Sequence, residues 1–159
     1  MQSHIKSSAK QGHGRTFALL TATMIRLCAG AACGGSPTGP DALSSTQGLI
    51  TAIQNQGATV SSAGSMSRDS FPFFSVNADR LLVNGESVHV FDYENAAVAN
   101  QQAGLVSASG NPIGNTQVSW VDTPHFYKQG HLVVLYVGRS SDITRVLTAV
   151  LGSPFAGGA

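Results

Sequence analysis

The residues after Pro40 predict one α+β domain: an antiparallel sheet built from two βββα-like repeats, with helices packed on one face and one further helix ahead of it. Three observations carry this. Asn84-Gly85 lies between two apolar runs and has the residues of a two-residue type I′ hairpin turn, which needs positive φ at both positions. A shift of 45 residues sets Val76 on Val121, Leu81 on Phe126, Gly85 on Gly130, Val88 on Val133, Val90 on Leu135 and Phe91 on Tyr136, as a duplicated unit would. Ile143, Val146, Leu147, Val150 and Leu151 recur at i, i+3, i+4, i+7 and i+8, the stripe of a helix with one buried face.

The elements follow in order. "STQGLITAIQNQGATV" places Leu49, Ile50 and Ile53 at helical spacing, with Ser or Thr to cap the start and Gly57 to stop it. Residues 61–70 are polar and read as loop, with "ATVSSA" as an alternative edge strand. "PFFSVN", "DRLLV" and "ESVHVFDY" are the expected strands of the first unit, followed by a small-residue helix from Asn95 to Leu105. "QVSWVD", "PHFYK" and "HLVVLYVG" are those of the second, turning at Gln129-Gly130. Its helix is capped by Ser140 or Ser141, carries Asp142 at its positive end and stops at Gly152 and Pro154. Strand alternation puts Val88 and Val90 on one face and His89, Phe91 and Tyr93 on the other. "HLVVLYVG" is apolar on both faces and is expected to be central. The second sheet face, rich in aromatics and histidines, is expected to be open to solvent.

The chain of 159 residues has room for one such domain and a tail. Charged residues are 11% of it, against about 25% in soluble proteins at large, so neutral polar side chains must solvate the surface. The net charge of +1 conceals a division, because Lys6, Lys10, Arg15 and Arg26 all precede Cys33. After Cys33, five basic residues stand against eight acidic ones, a balance of −3 with no basic stripe for nucleic acid.

Residues 1–32 have the order of a secretory signal peptide: a basic start, the apolar "FALLTATMI" and small residues at the end. The run is too short for a membrane span, and Arg26 interrupts it. Gly30, Ala31, Ala32 and Cys33 resemble the lipobox of bacterial lipoproteins, although Gly30 stands where Leu is usual. The resemblance implies that Cys33 becomes a lipidated N-terminus. It also implies an outer-membrane destination in a Gram-negative cell, since Gly34 replaces the aspartate of inner-membrane retention. The Gly/Ser/Pro-rich residues 33–41 then form a flexible tether, and 42–159 the domain. The other readings of the segment are a plain signal peptide cut after Ala32, giving a secreted or periplasmic protein, and a metal or redox pair of Cys28 with Cys33. The phrases "FFSVNADRLLVNGESVHVFDYENAAVA" and "HFYKQGHLVVLYVGRSSDITRVLTAVLG" are also similar to small bacterial lipoproteins of no assigned activity.

Chemistry is sparse. No G-x-S-x-G nucleophile motif or phosphate loop occurs, the cysteines lie in the address segment, and neither a catalytic residue nor a cofactor is expected. His89, His125 and His131 with Asp92 or Asp122 have the donor types of an imidazole–carboxylate metal site, against the plainer reading of strand histidines. Tyr93, Trp120 and Tyr127 are the candidate binding surface, since exposed aromatic patches mark partner sites. The expected function is a lipid-anchored binding or structural module of the cell envelope, its partner an envelope protein or cell-wall ligand and not nucleic acid. The alternatives are a secreted metal-dependent enzyme and a secreted inhibitor of a partner protein.

Overall fold

The computed structural model describes residues 43–158. The signal segment, Cys33 and the tether lie outside the described residues. The chain runs α1 (Thr46–Asn55), β1 (Val60–Met66), a short 3-10 turn (Arg68–Ser70), β2 (Ala78–Val83), β3 (Glu86–Asp92), α2 (Ala96–Ala103), β4 (Pro124–Gln129), β5 (Leu132–Val137), α3 (Ser141–Leu151) and β6 (Ala156–Gly157). The six strands form one antiparallel sheet in the order β1-β2-β3-β5-β4-β6. The domain is therefore α+β.

Local sequence explains the ends of the helices. Ser45 accepts a hydrogen bond from the Gly48 amide at 3.0 Å and Asn95 one from Val98 at 3.0 Å, each satisfying an amide that the first helical turn leaves unpaired. Ser140 makes no such side-chain bond, contrary to expectation; its amide donates instead to the Tyr136 hydroxyl at 3.0 Å.

Alternation along the strands sorts the core into two layers. Val88 and Val90 of β3, Tyr127 of β4 and Val134 of β5 meet Leu49 and Ile53 of α1 and Ile143, Val146 and Leu147 of α3. Phe91, Phe126, Val133 and Leu135 meet Ala99 and Ala103 of α2 on the opposite face, with Phe74 and Ile113 from two connecting segments. The helices thus divide between the faces rather than sharing one. The second face is roofed by α2 and by segments around residues 71–76 and 106–120, so the open aromatic face does not exist. "PFFSVN" and "QVSWVD" are these roofing segments and not strands, while the polar 60–66 forms edge strand β1. Phe71, Phe73 and Trp120 have the β-propensity of strands, but the rings of Phe71 and Trp120 pack down onto Phe91 of β3 and Phe126 of β4, with Phe73 wedged between them.

Register corrects the alignment of the two hairpins. Leu81 pairs with Val88 in one and Tyr127 with Val134 in the other, so they correspond at 46 residues, not 45. One residue of slip exchanges the faces. It would set Leu81, which faces α1 and α3, on Phe126, which faces α2. The turns differ as well. Asn84 and Gly85 both have positive φ, whereas the second loop is Gly130-His131 with positive φ at Gly130 alone, the pattern of a type II′ turn.

β6 closes the far edge by lying against β4 at close quarters. A Cβ on Gly157 would stand 1.9 Å from the Pro124 carbonyl oxygen, and φ is +75° there. Gly157→Ala is expected to detach β6 while the other five strands stay paired, read as lost amide protection confined to residues near 125 and 157. Leu135→Ala, at a fully buried position, is expected to cost about 2–5 kcal/mol in urea unfolding of the full chain.

Candidate functional site

The five predicted metal ligands are scattered. His89 lies midway along β3 opposite Arg80, with its ring 4.9 Å from that of Phe71 and its Nδ1 buried without a partner. Burial, and then the Arg80 charge, push its pKa down. His125 begins β4, stacks on Tyr136 at 5.7 Å and has Nε2 3.0 Å from the Gly138 carbonyl oxygen. His131 sits in the turn beyond the other end of β4, about 20 Å away at some 3.3 Å per strand residue. Asp122 pairs with Arg139 at 2.6 Å. Only His131 and Asp92 meet, Nδ1 to Oδ1 at 2.9 Å. Among the described residues no three His, Cys, Asp or Glu side chains are placed to hold a metal ion.

The His131–Asp92 pair has the donor types of a catalytic dyad but not its geometry. A general base needs a free Nε2 facing the hydroxyl that it deprotonates. Here Nε2 contacts the Ser44 carbonyl oxygen, and the nearby Thr46 hydroxyl bonds the carboxylates of Asp92, at 3.4 Å, and Asp79, at 3.5 Å. Nδ1 is also held, 2.6 Å from the Tyr93 carbonyl oxygen. The arrangement joins the start of α1 to the end of β3.

A second polar cluster holds the start of α3. The Tyr136 hydroxyl donates to Glu86 and accepts from the Ser140 amide. Burial, followed by the Glu86 carboxylate, pushes the phenol up to about 12. No local pattern in the sequence marks either cluster, because their members come from separate elements.

The predicted aromatic surface also divides. Tyr93 and Tyr127 are buried on opposite faces of the sheet. The Tyr93 hydroxyl has no partner, and that of Tyr127 lies beside Thr148 without a hydrogen bond; burial raises both pKa values. An internal tyrosine ring supplies core volume, and its hydroxyl is carried inside with it. Trp120 is half-buried: its Nε1 donates to the Gly110 carbonyl at 2.9 Å and its ring stands edge-on to Phe73 and Phe126. Beside it in sequence Val121 is 97% exposed, and Phe155, 39% exposed, packs on Phe126 from β6's side. Phe71, Phe73, Trp120 and Phe155 line the solvent side of the second core layer as an aromatic shelf.

No protein-family model, curated protein or solved structure matches the chain.

The three buried tyrosines should respond differently to loss of the hydroxyl. Tyr93→Phe and Tyr127→Phe remove unsatisfied groups and are expected to leave stability unchanged or raise it, whereas Tyr136→Phe orphans its partners and should cost about 1–3 kcal/mol. Urea unfolding of the three variants beside the parent chain measures this.

Proposed function

We propose that this chain is a lipid-anchored, extracytoplasmic binding or structural module of a bacterial cell envelope. The observation that carries the reading is the junction at Cys33. A signal-like apolar run and two alanines precede the cysteine, and "GGSPTGP" follows it, ending close to Leu43, where the described domain begins. A flexible Gly/Ser-rich linker as long as residues 33–41 reaches on the order of 17 Å, enough to hold a folded domain just above a membrane. No helix among the described residues is long and apolar enough to cross one.

The reading is supported by how the domain uses its reactive side chains. The histidines and tyrosines with shifted pKa values are tied into core packing or inter-element contacts rather than facing a shared cleft. A partner, whether an envelope protein or a cell-wall ligand, would therefore meet the aromatic shelf around Trp120 and not the Tyr93–Trp120–Tyr127 set. The two hairpins, corresponding at 46 residues, fit descent from one duplicated hairpin unit.

Intact mass of the protein recovered from bacterial membranes tests the anchor. A diacylglyceryl-modified chain beginning at Cys33, lost in Cys33→Ser, is the expected result. A soluble chain cut after Ala32 without lipid would overturn the anchored reading and leave a secreted domain.

A further inference from the structure

We propose that His131 is a protonation-dependent clasp that fastens the start of α1, where the chain enters the domain, to the end of β3. The geometry carries the inference. Both ring nitrogens face oxygen acceptors: Nδ1 the Tyr93 carbonyl at 2.6 Å and Asp92 Oδ1 at 2.9 Å, Nε2 the Ser44 carbonyl. A neutral imidazole has one N–H and can satisfy only one side, whereas the imidazolium donates on both. The clasp is complete only when His131 carries a proton.

The surrounding charges favour that form. From β3 Asp92 contacts the ring directly, and from β2 Asp79 stands behind Asp92, the two carboxylates sharing the Thr46 hydroxyl. Among the described residues, 43–46 at the start of α1 bring no charged side chain to the ring; Ser44 offers its carbonyl oxygen and Thr46 its hydroxyl to Asp92. Burial alone would lower the pKa of His131, but the two carbonyls and the Asp92 carboxylate outweigh it and raise the value above 6.5. A histidine raised on folding adds stability that is fully present below its unfolded pKa and is lost as pH rises through the folded one. The clasp is closed in acid and opens in base.

Opening loosens a particular place. Ser44 precedes the cap residue Ser45, and the Leu49 amide closes the first turn on the Ser45 carbonyl at 3.0 Å. Residues 33–41, the proposed tether, lead directly into this point, so the clasp sets how firmly the chain is gripped where it enters the domain. The inference itself does not depend on lipidation and stands if Cys33 proves unmodified.

The test is a ring titration of His131 by NMR in the full chain, with hydrogen-exchange protection of the Leu49 amide followed from pH 5.5 to 8.5. The expected result is a His131 pKa above 6.5 and a Leu49 protection factor that falls about tenfold as pH passes through it, a charge-assisted hydrogen bond being lost. Asp92→Asn should lower the His131 pKa and move the fall to lower pH, and His131→Gln should abolish it. A His131 pKa at or below 6.5, or Leu49 protection that does not follow the titration, would overturn the proposal, and both are read in the unmutated chain even if a variant fails to fold. His89, shifted the other way, makes folding less favourable in acid, so global stability against pH mixes two opposed signals while the local amide does not.

Discussion

The pairing of β3 with β5 is the constraint on which the domain depends. It joins the two hairpins into one sheet, with Val88 opposite Tyr136, Val90 opposite Val134 and Phe91 opposite Val133. The paired residues lie 40 to 48 positions apart in sequence, so the pairing must offset the entropy of closing a long loop. It can do so because it is buried on both sides. Each pair places one apolar side chain of each strand into the layer beneath α1 and α3 or into that beneath α2, and alternation fills the two layers in turn.

From this pairing follow the two covered faces. A sheet with apolar side chains on both sides must find two roofs, and the described residues hold only three short α-helices. Two of them cover one layer. The third is a small-residue helix that brings Ala99 and Ala103 close to the sheet but is too narrow to cover it alone. The remaining area is covered by Phe71, Phe73, Phe74 and Trp120 from connecting segments, which meet largely edge to face. An aromatic roof made of loop residues leaves ring edges at the surface. The aromatic shelf of the described domain lies there, and it is the surface to which the proposed function assigns a partner.

Polar side chains serve the joints of this framework. Tyr136 ties β5 and β3 to the start of α3 through Ser140 and Glu86, and His131 ties the second hairpin turn and β3 to the start of α1. Both helices that roof the first layer are thus held at their N-termini by groups from the central strands or the turn before one of them. A tyrosine whose pKa lies far above neutral makes a fixed joint, whereas a histidine makes one that senses protons. The same two-ended layout therefore contains one permanent and one conditional fastening.

The sequence by itself determined what is local. The stripe of Ile143, Val146, Leu147 and Leu151, the Asn84-Gly85 turn, the opposed directions of Val88 and Phe91, and the interior place of a strand apolar on both faces all follow from side-chain periodicity and turn sterics within a few residues. The lipobox-like pattern around Cys33 is of the same local kind, a run of charge, apolar length and small residues, and it lies outside the described residues. Tertiary structure alone decided the one-residue register between the hairpins, because Gly85 and Gly130 look equivalent in sequence yet occupy different turn positions. It also decided that Tyr93 and Tyr127 are internal and face apart, and that His125 and His131, six residues apart, stand at opposite ends of a strand. The clasp of His131 on Ser44 spans 87 positions. Contacts of that kind arise from how two hairpins and three helices close on one another, and periodicity within any one of them carries no trace of it.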